Sequence, residues 1–409
     1  MGSASRPRVA LVSLHTSPLA TAGSGDAGGM NVYLRALADG LVADGFEVDV
    51  LTRRTSADQR PVTTPGGARV LFLDAGPAEP VAKEDLPGLV DAFTESALAA
   101  GPYDLVHSHY WLSGLAGERL AAASGAPHLV TLHTLAALKN ELLAEGDTPE
   151  PEARVAAERA LLESARAVIA VSQAEADAAV RLAGAEHQRV RVVLPGVDTQ
   201  LFGPPAAGED EARRDTNIHR PTVVVAARVQ PLKGQDLAIR AIAALPRDRR
   251  PQLVLAGDAT ASHAAYVAEL HELIEESELR SMAGDADADV LFVGPLDREQ
   301  LAETLRRASA LLIPSHSETF GLVALEAAAS GIPVIASRVG GLPEAVGDNG
   351  ILLDDRRAES WAAAIDAVLA EAHDAAGRTR LRARALAHAA PFRWDAVAHR
   401  VGDIYRSHL

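Results

Sequence analysis

Cysteine is absent from the 409-residue chain, which excludes disulfides, thiolate metal sites and a cysteine nucleophile. Long hydrophobic runs are absent too. The apolar stretch from Val9 to Leu14 is too short for the core of a signal peptide, and nothing approaches the roughly 20 apolar residues that a membrane-spanning helix needs. From these absences we expect a cytoplasmic protein with no membrane insertion.

The chain also lacks an excess of positive charge, because its formal net charge is −16 at pH 7. Nucleic acids and anionic membranes select basic surfaces, so we expect neither as a partner. Hydrophobic residues make up 48% of the chain, as in globular proteins. A chain of 409 residues is too long for one ordinary core and suits two domains of roughly 200 residues each.

Short apolar runs alternate with longer helical patterns from end to end. Fully apolar strands that alternate with helices predict an α/β fold class, with parallel sheets covered on both faces. Helices are predicted for Asn31 to Ala43, Leu86 to Ala99 and Glu152 to Ser164. The predicted strands begin at Val9, Glu47, Arg69, Leu105, His128 and Ala167, and then at Thr222, Gln252, Asp289, Ala310 and Pro333.

The two series of strands are separated by a Pro- and Gly-rich stretch, Pro195 to Pro205, and by the charged segment 208–214. We therefore predict an N-terminal domain at 1–198, a C-terminal domain at 199–390 and a terminal segment at 391–409 with a helix from Trp394 to His408. Ligands of open α/β sheets bind beyond the carboxyl ends of the strands. Two such domains are expected to enclose an interdomain cleft.

The most specific motif is the stretch Ser315-His-Ser-Glu-Thr-Phe-Gly-Leu-Val-Ala-Leu-Glu326. Glu318 falls in the loop after the strand at Ala310, and Glu326 lies inside a helix predicted from Phe320 to Ala329. The backbone N–H groups at a helix start attract a diphosphate, and carboxylates accept hydrogen bonds from sugar hydroxyls. The expected backbone donors are Thr319, Phe320, Gly321 and Leu322.

This motif and the following Gly331-Ile-Pro-Val-Ile-Ala-Ser-Arg-Val-Gly-Gly341 resemble the signature of the family 4 retaining glycosyltransferases. The resemblance implies the GT-B fold, in which two Rossmann-like doubly wound domains face each other across a cleft and a terminal helix crosses back to the first domain. It also implies a nucleotide-sugar donor, with no cofactor and no essential divalent metal. Glu318 would orient the sugar hydroxyls, and Glu326 would hold the ribose.

A glycine-rich loop spans Gly23 to Tyr33 and contains a literal G-x-G-x-x-G. A dinucleotide site is rejected, because the first glycine does not follow the strand directly and no acid closes the second strand. We expect Gly28, Gly29 and Asn31 to contact the donor diphosphate instead. The loop and the preceding His15-Thr-Ser-Pro-Leu resemble the actinobacterial inositol-phosphate N-acetylglucosaminyltransferases of mycothiol biosynthesis.

Cations are predicted beside the cleft in Arg228-Val-Gln-Pro-Leu-Lys-Gly234, which follows a strand. Arg228 and Lys233 resemble the family's phosphate-binding pair, and fixed cations there would stabilise charge on the leaving phosphate oxygen. His133 matches the family histidine that contacts the donor sugar. We count these three residues and Glu318 as the catalytic group.

The acceptor pocket is predicted by resemblance to the mycothiol enzymes. Lys83, Tyr110, Thr134 and Arg154 each lie in a segment similar to theirs. Two cations and two hydroxyls suit a phosphomonoester, which offers several acceptor oxygens and a charge near −2. We therefore expect a small phosphorylated or polyol acceptor.

No metal site is predicted. The histidines His107, His109 and His133 lie at strand ends, but no carboxylate or cysteine completes a ligand set. The acidic run Asp285 to Asp289 imitates a metal-binding D-x-D, yet it precedes a strand and so lies at the wrong end of the sheet. We interpret it as a solvated loop.

The resulting hypothesis is a retaining transfer of a sugar, N-acetylglucosamine from its UDP donor, to an inositol-phosphate-like hydroxyl. The chain departs from the family pattern at 255–262 and 340–350, so the nucleotide (UDP or GDP) and the donor sugar stay open. The alternatives are a natural-product paralogue with another donor and acceptor, a sugar-nucleotide epimerase and a non-catalytic sugar-nucleotide-binding protein. Because related enzymes are often dimers, a homodimer is a further expectation.

Overall fold

The computed structural model describes residues 6–20, 28–141, 143, 148–205, 220–259, 263–281 and 287–409. Four stretches singled out in the sequence fall outside these ranges: residues 23–27 of the glycine loop, the charged segment 208–214, residues 260–262 of the segment 255–262, and residues 285–286 of the acidic run.

The first sheet of the described structure contains eight strands: β1 Arg8–Ser13, β2 Glu47–Arg53, β3 Val62–Thr63, β4 Arg69–Leu73, β5 Leu105–His109, β6 His128–Thr131, β7 Ala167–Ala170 and β8 Val190–Val192. Their spatial order is β3-β4-β2-β1-β5-β6-β7-β8. Only β3 and β4 pair antiparallel, and the other neighbours pair parallel. The central strands are buried, as continuous apolar runs require.

The second sheet contains six strands of the described chain: β9 Thr222–Ala226, β10 Gln252–Ala256, β11 Val290–Gly294, β12 Ala310–Ile313, β13 Val334–Ser337 and β14 Gly350–Leu353. Their spatial order is β11-β10-β9-β12-β13-β14, and all neighbours pair parallel. The prediction of an α/β protein with two doubly wound parallel sheets is therefore confirmed.

Helices cover both sheets. In chain order they are α1 Gly29–Ala43, α2 Val90–Ala100, α3 Trp111–Ser124, α4 Ala136–Glu141, α5 Glu152–Ser164, α6 Gln173–Ala183, α7 Gln235–Ala244, α8 Ala264–Glu276, α9 Arg298–Arg307, α10 Leu322–Ala329, α11 Leu342–Val346, α12 Ala358–Glu371, α13 Ala375–Ala389 and α14 Trp394–Arg406. Within the described ranges, none of the helices has the length and hydrophobicity needed to cross a bilayer.

The structure differs from the sequence predictions at element ends and sheet edges. Strands β3, β8 and β14 were not predicted, because each is a short edge strand with partly exposed residues and no fully apolar run. The helix predicted from Leu86 begins as a 3-10 turn over Leu86–Leu89, and the α-helix itself begins at Val90. The helix predicted from Phe320 begins at Leu322, because Gly321 caps it with φ +90°.

The terminal helix α14 packs against α1 of the first domain. Just before α14, an isolated β-bridge joins the chain to the end of the first domain, and the Val197 N–H donates to the Phe392 carbonyl over 2.7 Å. Where the helices cross, Gly40 faces Ala398. The Asp44 carboxylate accepts a hydrogen bond from Arg406 over 2.6 Å, so an ion pair also joins the C-terminal ends of α1 and α14.

We predict that Gly40→Ala destabilises the protein. A Cβ at position 40 would overlap the Ala398 Cβ, and overpacking of this kind costs about 1–3 kcal/mol, more than the roughly 1 kcal/mol that alanine gains over glycine in a helix. Denaturant unfolding measures the difference. Gly88→Ala is the control, since its Cβ would meet nothing within 4 Å. Equal stability of the two variants would contradict the close approach of α1 and α14.

Candidate functional site

The carboxyl ends of both sheets face one cavity of about 680 Å³. Loops beyond the carboxyl ends of parallel strands are where such sheets bind ligands. All the predicted site residues lie in described ranges, and all of them line this cavity except Arg154. The two predicted halves of the site are therefore brought to a single space.

Lys233 and Glu318 form an ion pair on the second-domain side of the cavity. Lys233 closes a 3-10 turn after β9, and Glu318 lies in the loop after the neighbouring strand β12. The Lys233 Nζ donates to the Glu318 Oε2 over 2.5 Å, and both side chains are mostly buried. A cation suited to phosphate and a carboxylate suited to hydroxyls thus stand side by side.

The backbone under Glu318 is fixed by two glycines that follow β13. The Gly341 N–H donates to the Glu318 carbonyl over 3.1 Å. A Cβ on Gly340 would overlap that same carbonyl oxygen, and Gly340 has φ +51°. Only glycine allows so close an approach of two loops, so this pair of glycines helps to place the carboxylate.

Glu326 lies on α10 and is 8% exposed. The Arg298 Nη1 donates to its Oε1 over 3.2 Å from the start of α9. Burial raises the pKa of the Glu326 carboxyl, and the Arg298 guanidinium opposes that rise. Arg298 was not predicted as a site residue, because nothing in the sequence around it marks a partner at such a distance along the chain.

The described part of the glycine loop is held from within. Gly28 caps α1, and its N–H donates to the Asn31 Oδ1 over 3.1 Å. The Asn31 amide nitrogen donates to the Thr16 hydroxyl over 2.6 Å. The side chain of Asn31 is thus occupied in shaping the loop. Across the cavity, a Cβ on Gly29 would lie 3.1 Å from Leu322, so the two domains nearly touch here.

The start of α10 offers backbone donors to the cavity. The first N–H groups of a helix have no intrahelical acceptor and carry partial positive charge. Thr319, Gly321 and Leu322 line the cavity at this point. Phe320 is only 3% exposed, and its ring belongs to the hydrophobic core. Phe320 can therefore contribute to a ligand through its backbone alone.

A buried row of histidines stands behind the cavity in the first domain. His133 lines the cavity at φ +61°, and its Nε2 lies 2.9 Å from the His109 Nδ1. His107, next in the row, contacts the Tyr405 hydroxyl of α14 at 2.6 Å. Burial lowers the pKa of His133 to about 3. The imidazole at the cavity wall is therefore neutral at physiological pH.

The four predicted acceptor residues come together at the first-domain end of the cavity. The Lys83 Nζ lies 5.8 Å and the Arg154 guanidinium carbon 4.7 Å from the centre of the Tyr110 ring. The Arg154 Nη2 donates to the Thr134 hydroxyl over 2.9 Å. Arg154 itself is 2% exposed. We predicted Arg154 as a residue of the pocket itself. In the structure it lies directly behind the residues that line the cavity.

Arg154 is buried because two carboxylates hold it. Its Nε donates to the Glu158 Oε1 over 2.7 Å, and its Nη1 pairs with the Glu150 Oε2 over 2.7 Å. Glu150 and the neighbouring Lys139 also line the cavity. Neither was predicted, because no motif marks them and their contact joins α4 to the segment before α5.

Within the described ranges, no group of three or more histidine, aspartate or glutamate side chains is arranged to hold a metal ion. His107 contacts the Thr131 hydroxyl at 2.9 Å in addition to Tyr405. The strand-end histidines are thus bonded to one another and to hydroxyls. Asp289, the last residue of the acidic run, precedes β11 and so lies at the end of the second sheet opposite the cavity. Its carboxylate accepts a hydrogen bond from the Arg280 backbone N–H over 2.8 Å.

Comparison with known proteins identifies the relatives of the chain. Residues 28–196 match the family model described as Glycosyl transferase 4-like domain, and residues 208–386 match Glycosyl transferases group 1. A D-inositol 3-phosphate glycosyltransferase of Kineococcus radiotolerans is 42% identical, covering 99% of this chain and 96% of its own. The protein of the same name from Xylanimonas cellulosilytica is 43% identical, covering 98% and 96%.

Solved structures show the same architecture. The sucrose-phosphate synthase of Thermosynechococcus elongatus superposes with a TM-score of 0.84 at 33% identity, covering 98% of this chain and 99% of its own. Anabaena HepE in complex with UDP and glucose superposes with a TM-score of 0.72 at 21% identity, covering 99% and 100%. The second likeness bears on the fold alone.

We predict that His133 stays neutral from pH 8 down to pH 5.5, because burial holds its pKa at about 3. Side-chain ¹⁵N NMR of the folded protein measures this, with the signal assigned by loss in His133→Asn. His399 is the internal contrast, since the hydrogen bond to Asp44 raises its pKa above the ordinary value. It should gain its proton at a higher pH. A His133 signal that titrates near 6.5 would contradict the buried position.

Proposed function

The chain belongs to the family 4 retaining glycosyltransferases, and on this basis we propose that it transfers N-acetylglucosamine from UDP-N-acetylglucosamine to a hydroxyl of an inositol phosphate. The family gives the enzyme class and the GT-B fold. The substrates are supported by the relatives at 42% and 43% identity over nearly the whole chain, which are named for D-inositol 3-phosphate.

One observation carries the proposal: three predicted acceptor residues of the first domain and the predicted donor residues of the second domain line one cavity. Lys83, Tyr110 and Thr134 lie at the first-domain end, and Lys233 with Glu318 lies at the second-domain end. A transfer between two bound molecules needs both reactants held together in one space. The arrangement suits a phosphorylated acceptor facing an activated sugar.

The donor would lie along the second domain with its charge at the cations. The diphosphate would meet Arg228, Lys233 and the N–H group of Gly29, next to Gly28, whose own N–H donates to the Asn31 Oδ1. The ribose diol would donate to the buried carboxylate of Glu326, a strong charge-assisted bond. Because fixed cations already face the diphosphate, this donor mode requires no divalent ion.

Donor binding would exchange the partners of the Lys233–Glu318 pair. Without a donor, the ammonium and the carboxylate neutralise each other across 2.5 Å. With the donor, Lys233 would turn to the diphosphate and Glu318 to the sugar hydroxyls. The lost pair is replaced on both sides, so no buried charge is left without a partner.

The transfer step would proceed on one face of the sugar. The bond between the anomeric carbon and the phosphate oxygen breaks while the acceptor oxygen bonds to that carbon on the same face. The leaving phosphate oxygen accepts the proton of the acceptor hydroxyl. Arg228 and Lys233 would stabilise the charge that develops on the diphosphate, and neutral His133 would hold the sugar near the reacting carbon.

A second candidate is transfer to another phosphorylated polyol or sugar. The likeness to a sucrose-phosphate synthase at 33% identity and TM-score 0.84 favours it. The same four residues, Lys83, Tyr110, Thr134 and Arg154, would then hold a different phosphomonoester.

The test of function is a panel of donors and acceptors read by mass spectrometry and NMR. We expect UDP-N-acetylglucosamine and inositol 3-phosphate to give a product with a retained α-linkage. Unphosphorylated inositol should react far more slowly, because it has no phosphate to bind the cations and hydroxyls of the acceptor pocket. Product from another phosphorylated acceptor alone would select the second candidate. Donor consumption with no acceptor product would contradict both.

We predict that Lys233→Met and Glu318→Gln act oppositely on the nucleotide. Lys233→Met should weaken UDP binding, because a fixed cation is lost, and should lower kcat by about 10²–10³. Glu318→Gln should leave UDP binding equal or tighter, since Lys233 loses its competing carboxylate, while turnover of the sugar donor still falls. Calorimetry with UDP and steady-state kinetics measure the two effects. Parallel losses of UDP affinity in both variants would contradict the exchange.

A further inference from the structure

Lysine is rare in this chain. Of its 39 lysine and arginine residues only three are lysines, Lys83, Lys139 and Lys233. All three line the same cavity. All the remaining basic residues in this count are arginines, so a compact lysine ammonium occurs only where a ligand would bind. Lys83 and Lys233 have roles in the proposed function, whereas Lys139 has none.

Lys139 is held toward the cavity by Glu150. It lies near the end of α4, and its Nζ donates to the Glu150 Oε1. Asn140 fixes the backbone of Glu150, because the Glu150 N–H donates to the Asn140 Oδ1 over 2.7 Å and the Asn140 amide donates back to the Glu150 carbonyl over 3.2 Å. The backbone at Glu150 is thus fixed to α4 by two hydrogen bonds.

The Glu150 carboxylate bridges two cations, Lys139 and Arg154. One of its oxygens takes the Lys139 ammonium, and the other takes the Arg154 Nη1 over 2.7 Å. Burial raises the pKa of Glu150, but the bond from Lys139 and the charges of Arg154 and Lys83 outweigh it, so the pKa lies below its ordinary value. The group is therefore ionised and set among three cations.

Of the two carboxylates that pair with Arg154, only Glu150 lines the cavity. The Arg154 Nε is taken by Glu158, which is 1% exposed and does not line the cavity. The Arg154 Nη2 is taken by Thr134. An anion that takes the Nη1 donor now paired with Glu150 must therefore replace that carboxylate.

We propose that Lys139 is a further acceptor-binding cation and that Glu150 is a built-in substitute for the acceptor phosphate, which displaces it from Lys139 and Arg154. The proposal deepens the proposed function, because it names the residues that select a phosphorylated acceptor. A phosphomonoester with a charge near −2 and three oxygens can replace one carboxylate on two cations. A neutral polyol cannot, so Glu150 excludes acceptors that lack the phosphate.

The experiment is a titration of inorganic phosphate into protein saturated with UDP, so that the donor cations are already occupied. Glu150→Gln should bind phosphate about tenfold more tightly than the wild type, as expected when one competing charge-assisted bond is removed. Lys139→Gln should bind phosphate more weakly than the wild type. Calorimetry gives both constants, and the thermal midpoint of each variant confirms that it is folded.

Glu152→Gln is the matched control. Glu152 is exposed and lies two positions along the chain from Glu150. The substitution removes the same single charge but leaves the bonds of Lys139 and Arg154 to Glu150 in place. It should bind phosphate like the wild type. If Glu150→Gln binds phosphate no more tightly than Glu152→Gln, or binds it more weakly than the wild type, the carboxylate is a supporting residue of the site and the proposal is wrong.

The result is independent of whether an inositol phosphate is the acceptor. Tighter phosphate binding by Glu150→Gln with no turnover of inositol 3-phosphate would keep this proposal and overturn the proposed acceptor. Where inositol 3-phosphate is turned over, Glu150→Gln should lower its KM and leave the KM of the donor unchanged. Turnover with an unchanged acceptor KM would overturn the displacement.

Discussion

The direction of parallel strands is the constraint on which the rest of this structure depends. In each sheet the carboxyl ends of the parallel strands share one edge, and only the short β3 runs the other way. In this chain the two edges face each other across one cavity. Lys233 follows β9 and Glu318 follows the adjacent β12, so their pairing over 2.5 Å is a consequence of strand order. The helix α14 returns to α1 and ties the second half of the chain to the first.

Charge balance is the second theme of the site. Three cations at or behind the cavity have a carboxylate beside them: Lys233 has Glu318, Arg298 has Glu326, and Arg154 has Glu150 and Glu158. Buried charges are stable only when they are paired. On the proposed account, phosphates and sugar hydroxyls would pair with the same groups, so ligand binding would be an exchange of partners with little change in buried charge.

The sequence was sufficient for the parts of the structure that are encoded locally. Continuous apolar runs located the central strands, and the Glu318–Glu326 motif located the loop and helix that line the second domain. What it could not supply were contacts between distant segments, since no local pattern encodes them. The Arg298–Glu326 bond and the Arg154–Thr134 bond are of this kind, and so is the Lys139–Glu150 pair, which joins α4 to the segment before α5. The edge strands β8 and β14 were missed because half-exposed residues give no clear period.

The central claim is that Arg228, Lys233 and backbone N–H groups hold the donor diphosphate in place of a divalent ion. Initial rates with donor and acceptor, measured after exhaustive chelation with EDTA and again after adding back Mg²⁺ or Mn²⁺, test this claim most directly. The account predicts the same rate in all three conditions. A rate abolished by EDTA and restored by either ion would contradict it.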